Sequence, residues 1–260
     1  MNLTDDQLDR YARHIVLREV GGIGQKKLLQ SKVLIVGAGG LGSPLILYLA
    51  AAGVGTIGVV DDDVVDLSNL QRQVAHGMAD IGTLKVLSAQ KTVAEINPDV
   101  KIVPHAERLT AENVEELFSG YDLVADGSDN FNTRFLINDA CYFLKKPLVS
   151  AAMLQFEGQL STYKAFEGDT HPCYRCIFPA PPPPDVARTC GEAGVLGALA
   201  GTMGSLQATE ILKELLGIGQ SMSGSLLIYD ALYTEFRKVK VRPDPACALC
   251  GTDPSITEIG

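Results

Sequence analysis

From Ser31 onward the chain alternates short β-branched apolar runs with longer stretches whose apolar residues recur at helical spacing. This is the pattern of parallel strands joined by crossover helices. The runs Lys32 to Val36, Thr56 to Val60, Val100 to Pro104, Asp122 to Asp126 and Pro147 to Ala151 read as strands. Between them, Gly42 to Ala52, Leu84 to Ile96, Ala111 to Phe118 and Asn132 to Leu144 read as helices. The spacing predicts a Rossmann-like, doubly wound α/β sheet. After Ala151 the pattern changes. Gln159 to Lys164, Ser225 to Asp230 and Glu235 to Val241 suit antiparallel strands added to the same sheet, with one long helix from Gly194 to Leu216 between them. Asp5 to Leu29 reads as helices packed on the outside, and Glu167 to Glu192, with prolines at 181 to 184, as a long loop. No repeat or linker divides the 260 residues, so one domain is expected: helices over 1–30, a nucleotide-binding half over 31–151 and a second half over 152–260.

Charge narrows the partners. The 31 acidic against 22 basic residues leave a net charge of -9, which repels a nucleic-acid backbone. The N-terminus lacks the basic start and apolar run of a signal peptide, and later apolar runs are broken by Gly, Pro or charge. A cytoplasmic protein with neither nucleic-acid nor membrane partner is therefore expected. In a reducing compartment the six cysteines need a task other than disulfide bonding.

The first strand ends in GAGGLG (Gly37 to Gly42), a turn that lets phosphates approach backbone N–H groups at a helix start. Asp61, at the end of the second strand, can accept from ribose hydroxyls. These two features alone also fit a nicotinamide-dependent oxidoreductase, or glycines that serve only turn and packing. The next residues favour a triphosphate, because Asn69, Arg72 and Gln73 lie just beyond the ribose position and Lys85 follows. Arg72 and Lys85 can neutralise the charge that develops on departing pyrophosphate. The fourth strand runs into DGSDN (Asp126 to Asn130), which makes Asp129 a candidate Mg²⁺ ligand or an N-cap for the next helix. Asp126 is either a second ligand or a strand-end carboxylate satisfied by backbone.

Cys173 with Cys176, and Cys247 with Cys250, form two CxxC pairs, the pattern of a structural zinc site with four thiolates. His171 is the reserve ligand, and a redox dithiol is the competing reading. None of the four histidines is given a catalytic role. Cys141, in NDACYFL, reads as a buried core residue. Cys190 precedes a Gly-rich helix start that would favour thiolate, and reads either as a reactive thiol or as an ordinary loop cysteine.

Taken together, RYARHI (Arg10 to Ile15), SKVLIVGAGGLGSP, LSNLQRQ, GTLKV, DGSDN, CYRC, TCGEAGV and CALC resemble the MoeB/ThiF branch of the ubiquitin-activating-enzyme superfamily, in the family's order and from about Leu3 to Gly251. The resemblance implies ATP-dependent adenylation of the C-terminal Gly-Gly carboxylate of a small ubiquitin-like sulfur carrier, by a homodimer using ATP, Mg²⁺ and Zn²⁺. It implies that Arg13 reaches ATP from the partner subunit, that Gly40 contacts phosphate and that Asp61 holds ribose. Asn69, Arg72 and Lys85 fall on the triphosphate, and Asp129 and Asn130 on the Mg²⁺ and nucleotide end. Cys190 takes the position of a cysteine that carries the carrier covalently in some members. Residues 152–260 become the carrier-binding half, whose tail substrate threads beneath the proline-rich loop, away from the acidic Asp61 to Asp63. A cysteine desulfurase or rhodanese-like protein would supply sulfur, since the chain stops just after the second zinc knuckle without room for a fused rhodanese domain. Molybdopterin and thiazole pathways use closely similar activators, and both lie within the expectation. A catalytically silent nucleotide-binding scaffold is the alternative, and the oxidoreductase leaves Arg72, Lys85, DGSDN and the zinc cysteines without a task.

Overall fold

The computed structural model describes residues 3–183 and 193–260. Five strands form at the apolar runs: β1 (Lys32–Val36), β2 (Thr56–Val60), β3 (Lys101–His105), β4 (Leu123–Asp126) and β5 (Leu148–Leu154). All their mutual pairings are parallel. Three further strands, β6 (Glu157–Tyr163), β7 (Ser225–Asp230) and β8 (Glu235–Lys240), continue the sheet antiparallel. The order β3-β2-β1-β4-β5-β6-β7-β8 makes one eight-stranded sheet, so both halves of the chain share a single hydrogen-bonded layer. Strand β1 has Val33 to Val36 buried, as expected of a central parallel strand covered on both faces.

The helices are α1 (Asp5–Arg10), α2 (Ala12–Ile15), α3 (Gly21–Gln30), α4 (Gly42–Ala51), α5 (Lys85–Ile96), α6 (Val114–Ser119), α7 (Phe131–Phe143) and α8 (Gly197–Leu216). Period-2 alternation in β1 sends Val33 and Ile35 to one core, with Leu45, Leu49, Val86, Ala89, Met203 and Ile211 of α4, α5 and α8. Leu34 and Val36 point the other way, to Val114, Phe118, Phe135 and Ile137 of α6 and α7. The N-terminal helices lie on the first of these layers. Gln25, fully buried, donates to the carbonyl of Ala52 at 2.9 Å, and Asn97 donates to the Tyr11 hydroxyl at 2.8 Å.

Boundaries differ from the sequence expectation where tertiary pairing overrides local pattern. Strand β5 runs on to Leu154 rather than stopping at Ala151, because it pairs with β6 as far as Leu154 opposite Glu157. Helix α8 starts at Gly197 rather than Gly194, since the backbone over 194–196 is spent on Gln155. The Gln155 N–H donates to Gly194 O at 3.0 Å, and the Leu196 N–H to Gln155 O at 3.0 Å. Helix α6 starts at Val114 rather than Ala111, with the Asn113 carboxamide turned back to accept from the Thr110 N–H at 2.8 Å. Among the described residues, no helix is long and apolar enough to cross a membrane.

Candidate active site

The chain order places a topological switch at β1. Helix α4 leads from β1 to β2 on one side, whereas β4 lies on the other, so a crevice opens beyond the carboxyl ends of β1 and β4. Its floor is two turns in near contact. Gly37 has φ +96°, and a Cβ there would meet Gly127 O at 2.9 Å. A Cβ on Gly42 would stand 1.9 Å from Gly37 O, so only glycine lets α4 start this close to the turn.

A cleft of about 190 Å³ lies above this floor, lined by Gly40, Asp61, Asn69, Arg72, Gln73, Lys85 and Asp129 among others. The fold thus gathers residues from five separate stretches of sequence at one place. Asp61 accepts from the Ala38 N–H at 2.8 Å and from the Asp63 N–H at 2.9 Å. Burial raises its carboxyl above the ordinary carboxylate value, against the pull of Lys85 and those two N–H groups. Lys85 is buried and its Nζ pairs with Asp63 at 2.8 Å, which leaves a fixed cation at the cleft wall. Arg72 is held by a hydrogen bond from Nη1 to Ser68 O at 3.1 Å. The Asn69 side chain accepts from the Asp66 N–H at 3.1 Å, closing the short turn that carries Arg72. Gln73 is buried with its Oε1 lacking a partner among the described residues.

The DGSDN turn divides its two aspartates. Asp126 is 1% exposed and accepts from the Ser128 N–H (2.9 Å), Ser128 Oγ (2.6 Å), Ser150 Oγ (2.7 Å) and Arg134 Nη1 (3.4 Å). Its oxygens are consumed internally, so it is neither a free metal ligand nor satisfied by backbone alone. Asp129 is exposed and makes no hydrogen bond with a described residue. It borders the cleft and two adjoining cavities of about 230 and 220 Å³. The N-cap of α7 is Asn130 rather than Asp129, because Asn130 Oδ1 accepts from the Thr133 N–H at 2.9 Å. That capping bond occupies the oxygen of Asn130, which lines only the outer of the two adjoining cavities. The inner cavity is mostly apolar, walled by Phe131, Met153, Leu154, Tyr174 and Phe178, and meets the cleft at Asp129 and Met153.

Arg13 is exposed on α2 and does not line the cleft of its own chain. Cys190 lies outside the described residues. Cys141 is fully buried, and burial pushes its thiol well above the ordinary value, as a core cysteine should be. Two site-supporting residues carry no motif. Arg134 ties Asp126 to Ala151 O (2.9 Å) and to Ser128 O. His76 sits under the glycine turn. Arg134 is buried along with Phe135, Ile137, Asn138, Asp139, Ala140 and Cys141 of α7, and no apolar stripe in the sequence marks it out.

The four CxxC cysteines meet, with Sγ···Sγ distances of 3.8 Å (173 to 176), 3.5 Å (173 to 247) and 3.4 Å (176 to 250 and 173 to 250). A tetrahedron of thiolates at about 2.3 Å from zinc has edges of roughly 3.8 Å, so the donor set fits that ion. Hydrogen bonds with Cys173 and Cys250 hold the Cys176 thiol far below its ordinary value. His171 is not drawn in, and its Nδ1 bonds Ser223 Oγ at 2.8 Å. Metal is not the sole tether of this loop. Arg175 forks onto Asp139 of α7 at 2.8 and 2.6 Å and stacks over Phe135, while the Tyr174 N–H donates to Asn138.

A family model described as ThiF family matches residues 11–249. The chain belongs to the ThiF family. This ThiF-family chain is 50% identical to a Thermus thermophilus protein named sulfur carrier protein adenylyltransferase, over 100% of this chain and 96% of that one. It is 51% identical to the SAMP-activating enzyme E1 of Haloferax volcanii, over 96% and 92% of the two chains. It also matches the adenylyltransferase and sulfurtransferase MOCS3 of Sus scrofa at 51% identity, over 99% of this chain but only 56% of that longer protein. Among solved structures, E. coli MccB with ATP superimposes with a TM-score of 0.80 at 21% identity, covering 95% of this chain and 75% of that one, which places the fold.

Replacing Arg134 with Ala leaves the Asp126 carboxylate buried without its cation, a change expected to cost about 3–5 kcal/mol. Urea unfolding of the variant measures this, and a loss under about 1 kcal/mol would show that the pair does not hold the DGSDN turn.

Proposed function

We propose that this chain is an ATP-dependent adenylyltransferase that joins the C-terminal Gly-Gly carboxylate of a small ubiquitin-like sulfur carrier to AMP. The observation that carries the reading is the meeting of the glycine turn, Arg72, Lys85 and Asp129 in one cleft that opens, past Asp129 and Met153, into an apolar cavity. The names of the Thermus and Haloferax relatives, matched over nearly their whole lengths, support it.

In this reading the ribose sits at Asp61 and the phosphates at Gly40, Asn69, Arg72, Gln73 and Lys85. A carboxylate oxygen of the carrier attacks the α-phosphorus, the bond from that phosphorus to the bridging oxygen breaks, and pyrophosphate leaves with the electron pair. A C-terminal carboxyl with a pKa of about 3.5 is already ionised, so the protein has no proton to remove. Its task is alignment and charge. Arg72 and Lys85 face the phosphates, and the Asp63 contact keeps the Lys85 ammonium fixed before substrate arrives. Asp129, exposed at the junction of the cavities and free of hydrogen bonds with described residues, fits a Mg²⁺ ligand, and Asp126 does not. Bound there, Mg²⁺ would neutralise phosphate charge.

The carrier's route is a face of the sheet. Ala152, Gln159, Ile228 and Arg237 are directly paired across β5 to β8, so their side chains line one row. Ala152 and Gln159 also wall the apolar cavity, so the row leads from the edge strand to Asp129. Arg13 acts from a partner subunit in a homodimer. Val16, Leu17 and Ile23, exposed within ten residues of Arg13, offer apolar surface for a second copy to cover. The four cysteines hold Zn²⁺ as a structural site with no open position. If Cys190 takes part, its thiolate attacks the adenylate's carbonyl carbon, the bond from that carbon to the phosphate oxygen breaks and AMP leaves, giving a thioester; a cysteine desulfurase or rhodanese-like protein supplies sulfur, in the cytoplasm.

ATP–pyrophosphate exchange with a panel of Gly-Gly carriers is expected to appear with at least one intact carrier and to vanish when its terminal pair is removed. Lys85→Ala and Asp129→Ala each lower the exchange by about 10²–10³. ATP binding without exchange for any carrier would leave the scaffold reading in its place. Elemental analysis of the purified protein should find one zinc per chain. Cys247→Ala should lose that zinc and melt at lower temperature, whereas a metal-free protein of unchanged Tm would contradict the structural site.

A further inference from the structure

We propose that His76 is the positioning residue of the glycine turn, held as the neutral Nε2–H tautomer beneath it. The inference rests on the reading of the cleft as an ATP site.

Ala38, the second residue of the turn, is buried, and its peptide groups are pinned from opposite directions. Its N–H donates to Asp61 Oδ2 at 2.8 Å, and its carbonyl oxygen lies 3.1 Å from His76 Nε2. Ser43 Oγ adds only a long contact to the same oxygen, at 3.4 Å. A carbonyl can only accept, so Nε2 must carry the proton. The other ring nitrogen lies 2.8 Å from Ser88 Oγ of α5. In a neutral ring Nδ1 accepts, which makes the Ser88 hydroxyl the donor and fixes the tautomer.

The competing state is an imidazolium whose Nδ1–H donates to Ser88 while the Ser88 hydroxyl donates to Asp80, a carboxylate within its reach. Both charge signs face the ring. Burial, the largest influence, and Lys85 act against the cation, the Ala38 carbonyl, Asp61 and Asp80 act for it, and the balance lies below the ordinary imidazole value. His76 is 8% exposed and does not line the cleft, so it has no direct access to a nucleotide. It works through Ala38. Asp61 holds the peptide group on one side of Ala38 and His76 the one on the other, so the Gly39 N–H, which shares a peptide plane with the Ala38 carbonyl, is fixed before phosphate arrives, and that ordering cost is not met at binding.

Long-range ¹H–¹⁵N spectra of the intact protein at neutral pH test the protonation directly. With four histidines in the chain, loss of one signal set in His76→Gln assigns the ring. The expected pattern is one protonated nitrogen, Nε2, and one bare nitrogen, Nδ1. Protonation of both nitrogens, or of Nδ1 alone, would overturn the assignment. His76→Ala should raise the Kd for MgATP about tenfold, leaving the KM for the carrier unchanged. Gln, whose amide N–H can reach the same carbonyl, should recover affinity to within about threefold. Equal ATP affinity in His76→Ala and the parent would remove the role given to His76 alone. A parent protein that binds no ATP would overturn the reading of the cleft itself.

Discussion

The structure depends on how closely two backbone turns approach each other at the carboxyl ends of β1 and β4. Gly37, Gly42 and Gly127 touch through main-chain atoms, and a Cβ at Gly42 would fall 1.9 Å from Gly37 O. No side-chain rearrangement relieves a clash between backbone and backbone. The contact lets α4 begin directly beside the turn, and it brings the end of β4 against the same floor. Everything else about the cleft is arranged around it. Residues from the β2 end, the short turn after it, the start of α5 and the turn after β4 converge because the sheet reverses its winding at this point.

Buried polar groups then fix what the glycines leave soft. Asp126 is an ionisable residue in the middle of the core, and it is tolerable there because two serine hydroxyls, a backbone N–H and Arg134 surround it. Arg134 passes that constraint to β5 through Ala151 O. One turn further along α7, Asn138 and Asp139 hold the CYRC segment through Tyr174 and Arg175. A single helix thus references both the turn bearing Asp129 and the four-cysteine cluster. The division of labour within DGSDN follows from depth. The buried aspartate organises, and the exposed one is left over for a ligand.

Much of this was legible in sequence because it is local. Period-2 and period-3.6 patterns fixed β1, β2 and β7 to the residue, and the glycine turn, LSNLQRQ, Lys85 and the paired CxxC motifs announced their places. What escaped depends on contacts distant in sequence. Arg134 looks like any helix arginine until Asp126, Ser128 and Ala151 are brought around it. His76 stands in a turn with no periodicity to read, and its meaning lies in a carbonyl 38 residues away in sequence. Asp129 was a candidate for the cap of α7, and only the bond from the Thr133 N–H to Asn130 Oδ1 shows that the next residue takes it. Strand β5 ran past its predicted end because β6 was there to pair with it.

The central claim is that the cleft makes a carrier adenylate, and the adenylate itself can be sought. Intact-mass spectrometry of a Gly-Gly carrier, quenched in acid after brief incubation with the protein, MgATP and pyrophosphatase, should show a species heavier by one AMP. Fragmentation should place that AMP on the terminal glycine. A carrier that stays unmodified while ATP is bound, or AMP found on a side chain, would contradict the account.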